Sequence, residues 1–452
     1  MKNDSIQSVL VIGLGYVGLP LLSLIAKTKK DYKSLYKAVG FDIDSHKIDL
    51  IKTLQFNWVD EATIFDLREN KSNWQVFSQT SQFDQKYDYI LICVPTPVDQ
   101  QDNPDLQAVI KAGKAAADLI EKDGVIILES TVNPGVCDEV LRPAIVEILA
   151  KRGLIYNQDV YLAHCPERID PGNNNYPLAK IPRVLGASSE IGLQKSLNFY
   201  KSILNAPVKP VSSLAAAEAV KIVENTFRDV NIAFVNELAQ SFSKLDLNVV
   251  EIIDAAATKP FGFLAHYPGA GVGGHCIPVD PYYLISAAGK RGFEHKFLKL
   301  AREINRSMPS FTVDLLKNEL NKLLVDQKKR KSKIKVALLG LSYKANVADL
   351  RNSPALEILK LLQNIPEIEV VAYDSLINNG ISIQEVSKIS LAESLSDLQA
   401  DTDVKAVLIA TAHSEFIDSF AQNIWPNLKL IVDGRNCLTK WPVGVTYRGI
   451  GR

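Results

Sequence analysis

The feature that most constrains the fold is a glycine loop at residues 13–18, Gly-Leu-Gly-Tyr-Val-Gly. It follows an apolar run at residues 8–13, SVLVIG, that reads as a buried parallel strand, and a helical pattern continues to about residue 30. A second short strand at 38–41 ends in Asp42. The GxGxxG spacing alone is weak. A preceding strand, a following helix and an acidic residue closing the second strand make it the dinucleotide fingerprint. Gly13 makes the tight turn, Gly15 lets a pyrophosphate reach the backbone, and Gly18 permits close helix–sheet packing. The helix start offers free N–H groups and a positive dipole end. Asp42 suits the hydroxyls of an adenosine ribose and would repel a 2′-phosphate, which favours NAD over NADP. Tyr16, Val17 and Lys47 complete the expected cofactor contacts on this side. The alternative is a bare glycine turn in a Rossmann-like domain that binds nothing.

Strand patterns at 89–94, 125–129 and 160–163 alternate with helical stretches, which implies a doubly wound α/β sheet. Val94-Pro95-Thr96-Pro97 and Ser130-Thr131-Val132 follow two of these strands. Ligands of open α/β sheets sit at the carboxyl ends of strands, so Pro95, Thr96 and Thr131 are expected on the nicotinamide side. For any one hydroxyl, turn capping is the commoner role. Residues 214–247 contain no Gly or Pro and place apolar residues at helical spacing, which predicts a long helix and a possible dimer interface. Residues 326–335, DQKKRKSKIK, read as a solvated linker. A strand at 335–340 and later strands at 370–373, 406–410 and 428–432 then predict a second open α/β unit, with Asp374 and Asp433 closing two of them. The expected domains are 1–205, 206–325 and 326–452.

The 51 basic and 51 acidic residues cancel, which argues against a nucleic-acid partner while leaving room for a local phosphate pocket. No apolar run is long enough to cross a bilayer, and residues 1–18 lack a cleavable signal pattern, so no membrane partner is expected. Cys93, Cys137, Cys165, Cys276 and Cys437 are odd in number, widely spaced and without a CxxC pair. A disulfide framework and a zinc site are therefore not expected, no metal is assigned, and a reducing cytoplasm fits.

Residues 271–281 read Gly-Val-Gly-Gly-His-Cys-Ile-Pro-Val-Asp-Pro. Glycines let a backbone approach a ligand and adopt positive φ. Cys276, after them and four positions before Asp280, is placed to act as a nucleophile. The bland alternative is a small buried core residue.

With GLGYVGLP, VPTP, STV, PER, KIVENTFRDVNIAFVNEL, GVGGHCIPVDP and GLSYKANVADLRNSP in this order, the chain resembles the UDP-glucose/GDP-mannose dehydrogenase family from about residue 8 to about residue 440. The resemblance implies an N-terminal Rossmann domain, a long central helix with a helical middle domain, and a C-terminal Rossmann-like UDP-binding domain. It implies oxidation of a sugar C6 hydroxyl to a carboxylate with two NAD. It assigns Cys276 as the nucleophile that carries a thiohemiacetal and then a thioester. Lys221 and Asn225, four apart on the expected helix, are implied to stabilise the C6 oxyanion. Asp280, Glu167 and Thr131 share the roles of base and water holder, in a division left open. Lys344 and Arg435 are implied to contact the UDP-sugar, and Arg351 the cofactor pyrophosphate. Gly271, Gly273, Gly274 and Arg168 complete the expected substrate contacts. His164 and His275 are given no catalytic role.

The stretch Pro166-Glu167-Arg168-Ile169-Asp170-Pro171-Gly172-Asn173 and the ENTFRDVNIA helix are similar to the branch acting on UDP-N-acetylhexosamines, with Arg168 and Arg228 shaping an acetamido pocket. Residues 257–263 lack the arginine that several UDP-glucose enzymes place in a neighbouring subunit's site. The expectation is a cytoplasmic, homodimeric, NAD-dependent UDP-N-acetylhexosamine 6-dehydrogenase for surface polysaccharide synthesis. Its rivals are a UDP-glucose 6-dehydrogenase, a two-electron dehydrogenase and a non-catalytic binding protein. Retention of Cys276, Lys221 and Asp280 together argues against the last.

Overall fold

The fold was obtained as a computed structural model that describes residues 6–56, 58–83, 85–99, 103–169, 175–323, 333–377, 390–422 and 425–452. Residues 170–173 of the expected substrate stretch and 326–332 of the expected linker lie outside this set. The chain divides into two compact units, Met1–Glu224 with Tyr282–Glu294, and Asn225–Pro281 with His295–Arg452.

The first unit is built on β1 (Gln7–Ile12), β2 (Tyr36–Phe41), β3 (Trp74–Phe77), β4 (Tyr87–Ile92), β5 (Ile120–Leu128), β6 (Val160–His164), β7 (Arg183–Ala187) and β8 (Val208–Pro210). They form one sheet in the order β8-β7-β6-β5-β4-β1-β2-β3. β1 pairs in parallel with both β2 and β4, through Val9↔Ala38 and Val9↔Tyr89. Alternate residues bury opposite faces. Val9, Val11, Leu91 and Ile127 enter one core, and Leu10, Ile12, Ile90 and Leu128 enter the other. Both faces are covered, so these strands read as continuous apolar runs rather than alternating ones. Strand order reverses between β1 and β4, and the carboxyl ends there are the switch point where an open α/β sheet binds ligands.

β7 departs from the parallel expectation: it runs antiparallel to β6, with Ala163 opposite Ala187. A parallel return needs a crossover, usually a helix. Among the described residues 165–182 there is only the single 3₁₀ turn Leu178–Lys180.

The second unit holds β9 (Ile334–Leu339), β10 (Ile368–Tyr373), β11 (Ser390–Leu391), β12 (Val404–Ile409), β13 (Leu430–Asp433) and β14 (Thr446–Gly449), in the order β11-β10-β9-β12-β13-β14. Among the described residues every pairing in it is parallel.

Five helices position the site: α1 (Gly18–Lys27), α2 (Leu214–Phe242), α3 (Asp280–Gly289), α4 (Lys296–Leu323) and α5 (Pro354–Gln363). α2 stops short of the predicted residue 247. Asp246 takes φ 52° and the Leu247 N–H bonds to the Phe242 carbonyl at 3.0 Å, a left-handed close made without glycine. α4 is long although it contains Pro309. Proline inside a helix removes a backbone bond, so a continuous helix here is not expected from local residue preference.

Candidate active site

The glycine loop shows two kinds of constraint. A Cβ added at Gly13, where φ is +93°, would stand 2.6 Å from the Cys93 carbonyl oxygen. At Gly18 it would stand 1.8 Å from the Gly13 carbonyl oxygen. At Gly15 it would meet nothing within 4 Å. The first and third glycines answer to the protein, and the second leaves open backbone where a pyrophosphate fits. α1 has no side-chain cap and no acidic residue in its first turn, so its orphan N–H groups and dipole stay available to an anion. Tyr16 and Val17 lie half-buried in the same loop.

Asp42, 7% exposed, follows β2. Its Oδ2 accepts from the Leu14 N–H and from Lys47 Nζ, each at 2.9 Å, and its Oδ1 accepts from the Asp44 N–H at 3.1 Å. Lys47, expected among the cofactor contacts, is thus an ion-pair partner of Asp42. The loop, the helix start and the carboxylate fit a dinucleotide.

The loops after β4 and β5 are tied together. Thr96 Oγ1 donates to the Thr131 carbonyl at 2.7 Å, and Ser130 Oγ donates to that of Val94 at 2.7 Å. The Tyr283 hydroxyl donates to the Thr96 carbonyl, and Pro95 is exposed. Beyond β6, Glu167 Oε1 accepts from Lys221 Nζ on α2 at 3.1 Å, with both side chains nearly buried. Glu167 Oε2 accepts from the Ile169 N–H at 2.6 Å. Arg168 bonds Glu224 through Nε at 3.2 Å and through Nη2, and Nη1 donates to the Pro182 carbonyl at 2.8 Å.

In the second unit, Cys276 lies half-buried in a loop that turns into α3. Its carbonyl accepts from the N–H groups of Val279 at 3.0 Å and Asp280 at 2.8 Å. Asp280, buried at the start of α3, accepts from Asn225 Nδ2 at 2.5 Å. Burial pushes the thiol of Cys165 up to about 12, and those of Cys93, Cys137 and Cys437 also upward. Among the described residues no disulfide links any of the five cysteines.

The glycines before Cys276 have protein neighbours. An added Cβ would come within 2.9 Å of Pro354 at Gly271, 2.7 Å of Pro354 at Gly273, and 2.7 Å of the Tyr343 ring at Gly274. The Gly274 N–H bonds to the Arg351 carbonyl, and Asn352 Nδ2 bonds to the Gly274 carbonyl, each at 3.0 Å. Packing against residues 343–354 therefore accounts for glycines that the sequence reading attributed to ligand approach. Arg435 donates through Nε to the Ala410 carbonyl at 2.8 Å and through Nη1 to that of Gly271 at 3.4 Å. Arg351 is clasped to Asp349, with Nε at 3.0 Å from both carboxylate oxygens. Lys344 is half-buried after β9, and Arg228 is exposed on α2.

Burial pushes the His164 ring down to about 3, so it is neutral and no proton carrier near pH 7. Sequence reasoning missed three buried polar groups: Glu129 with Arg183 and Tyr200, Glu218, and Asp229 with Arg302. Glu218 accepts from the Gly135 N–H at 2.6 Å and the Cys137 N–H at 2.7 Å. The one available signal was a charge abutting an apolar strand, as at Glu129 and Arg183. Among the described residues no cluster of His, Cys, Asp and Glu could hold a metal, and no helix is long and apolar enough to cross a membrane.

Residues 7–204 match the NAD binding domain of the UDP-glucose/GDP-mannose dehydrogenase family, 215–307 its central domain and 337–440 its UDP binding domain. A UDP-N-acetyl-D-mannosamine dehydrogenase of Pyrococcus horikoshii is 35% identical over 98% of this chain and 99% of its own length. A UDP-N-acetyl-D-glucosamine 6-dehydrogenase of Pseudomonas aeruginosa is 33% identical over 92% of this chain and 93% of its own. Among solved structures, a UDP-D-ManNAc dehydrogenase from Pyrococcus horikoshii superposes with a TM-score of 0.86 at 33% identity, covering 98% of this chain and 99% of that one. The chain is therefore a member of the UDP-glucose/GDP-mannose dehydrogenase family, with an NAD-binding Rossmann domain.

Proposed function

We propose that the chain oxidises the C6 hydroxyl of a UDP-N-acetylhexosamine to the uronic acid, in a four-electron reaction that reduces two NAD per sugar. The reading is supported by relatives named for UDP-N-acetyl-D-mannosamine and UDP-N-acetyl-D-glucosamine, at 35% and 33% identity. The observation that carries it is Cys276, a half-buried thiol one turn before α3 in a unit where Asn225 bonds Asp280 at 2.5 Å.

NAD, when bound, accepts a hydride twice per sugar. The chain's residues do the rest. A base drawn from Glu167 and Asp280 takes the proton of the C6 hydroxyl. Lys221 and Asn225 donate hydrogen bonds to the C6 oxygen where negative charge develops. An aldehyde releases no second hydride until a nucleophile adds, and the Cys276 thiolate forms that bond to give a thiohemiacetal. Oxidation leaves a thioester, and water held by Thr131 cleaves it to the acid and the thiol. Lys344 and Arg435 hold the diphosphate of the substrate by charge-assisted bonds, and Arg351 that of the cofactor. Arg168 and Arg228 shape the acetamido pocket. We assign NAD binding to residues 1–205, dimerisation and the cysteine loop to 206–325, and UDP-sugar binding to 326–452. The enzyme acts as a cytoplasmic homodimer and supplies surface polysaccharide synthesis.

The test is purified protein mixed with UDP-N-acetyl-glucosamine, -mannosamine and -galactosamine and with UDP-glucose, following NADH absorbance and the mass of the product. Two NADH per uronate from an N-acetylhexosamine is expected, with no acid from Cys276→Ala. Uronate from UDP-glucose alone overturns the sugar assignment. One NADH per sugar, or acid from the alanine variant at the wild-type rate, overturns the mechanism.

A further inference from the structure

The first unit buries charged groups that neither the cofactor loop nor the Glu167–Lys221 pair uses. Arg183 opens β7 and is 1% exposed, and Glu129 follows β5 and is fully buried. Arg183 Nη2 donates to Glu129 Oε2 at 2.7 Å, and the Tyr200 hydroxyl donates to Oε1. Arg183 Nη1 reaches away from this pair and donates to the Pro166 carbonyl at 3.1 Å. The N–H of Glu167, the other polar group of that same peptide, donates to the main-chain carbonyl of Glu129 at 3.3 Å. The Pro166–Glu167 peptide is thus gripped at both its polar groups by one buried pair. The Glu167 carboxylate that leaves this peptide takes Lys221 Nζ at 3.1 Å.

A buried ion pair is a poor stabiliser, because desolvation offsets most of its attraction and apolar side chains of similar volume pack as well. An apolar pair could not hold a carbonyl in place. The guanidinium can, because its planar fork serves two acceptors in fixed directions. We propose that Arg183 is a positioning residue. Its fork, shared between Glu129 and the Pro166 carbonyl, fixes the Pro166–Glu167 peptide and so aims the Glu167 carboxylate at Lys221. The inference rests on the reading of Glu167 as a base in sugar oxidation.

The test is a double-mutant cycle between Arg183→Lys and Glu167→Gln. It is read as kcat at saturating NAD with the UDP-N-acetylhexosamine turned over fastest, beside NAD affinity and the thermal unfolding midpoint. Lysine keeps the charge but lacks the two-headed planar fork. Arg183→Lys should lower kcat about tenfold to a hundredfold, the scale of a misplaced catalytic group, with NAD affinity within about twofold. In the Glu167→Gln background it should lower kcat by less than about twofold, since two residues acting through one group do not add. The same large loss in both backgrounds overturns the proposal, as does a wild-type kcat for Arg183→Lys or a parallel loss of NAD affinity. Wild-type kcat in Glu167→Gln with Arg183 intact overturns the base reading itself, a distinguishable result. If Arg183→Lys does not fold, Tyr200→Phe, which deletes only the hydroxyl on Glu129, takes its place in the cycle. Non-additive loss supports the proposal and additive loss or no loss overturns it.

Discussion

A methyl group on Gly18 would stand 1.8 Å from a backbone oxygen, whereas one on Gly15, three residues earlier, would touch no protein atom within 4 Å. The two alanine variants should therefore fail differently. Gly18→Ala should lose about 1–3 kcal/mol of stability, the usual cost of forced overpacking. Gly15→Ala should keep its unfolding midpoint within about 2 °C, as for a surface change, yet lose NAD affinity about tenfold or more, because the new methyl stands where the pyrophosphate must approach. Thermal unfolding and calorimetric titration with NAD measure both, and equal destabilisation by the two would refute the distinction. Residue spacing made the loop and Asp42 legible. The partner of Lys47 was not legible, because an ion pair from a helix back to a strand end leaves no spacing signature.

Between α2 and α4 runs a buried polar ladder. Asp229 Oδ1 accepts from Arg302 Nη1 at 2.5 Å and from Asn305 Nδ2 at 2.9 Å. Asn305 Oδ1 accepts from Asn236 Nδ2 at 2.8 Å, and Asn236 Oδ1 accepts from the Gly269 N–H at 3.0 Å. The ladder ties two helices to the start of the loop that carries Cys276. Arg302→Met would strand the Asp229 charge and should cost about 3–5 kcal/mol. Asn236→Ala, which orphans one N–H and one amide partner, should cost about 1–3 kcal/mol. Denaturant unfolding of both variants checks the order, and a milder loss from Arg302→Met would mean that the Asp229 carboxyl simply protonates. At this scale the sequence revealed the α2 pattern but not its partner, because Pro309 hid α4. It revealed parallel strands but not the reversed β7, whose direction goes with a connection that shows no crossover helix among its described residues.

Across the whole chain the same turn is built twice. The Gly13 N–H meets the Phe41 carbonyl at 2.7 Å and the Gly340 N–H meets that of Tyr373 at 2.8 Å, both glycines at positive φ, 93° and 85°. The next N–H binds the aspartate that closes the second strand, Leu14 to Asp42 at 2.9 Å and Leu341 to Asp374 at 2.7 Å. The two carboxylates then diverge. Asp374 is fully buried, and its oxygens also take the Ser342 N–H and hydroxyl, the Leu376 N–H and His413 Nε2. That set leaves no edge for a ribose. Burial works against ionisation of Asp374, but the bonds from His413 and from the Ser342 and Leu341 N–H groups outweigh it and hold the carboxyl below its usual range. A depressed native value means that this carboxylate favours the folded state fully above the unfolded pKa near 4 and loses that contribution as pH falls through the native one. Asp374→Asn should therefore lower the unfolding midpoint at pH 7, by about 1–3 kcal/mol of stability for donors left without acceptors, while leaving NAD affinity intact. The gap to the wild type should close as pH falls below about 4, where the unfolded chain takes up a proton that the native carboxylate still resists. Asp42→Ala should differ in weakening NAD, and it should lower the midpoint as well, because the Leu14 and Asp44 N–H groups and Lys47 lose their acceptor. Unfolding midpoints across that pH range and NAD titrations of both variants decide the matter: if Asp374→Asn weakened NAD as Asp42→Ala does, the second turn would be a cofactor site and not the sealed copy that its hydrogen bonds describe.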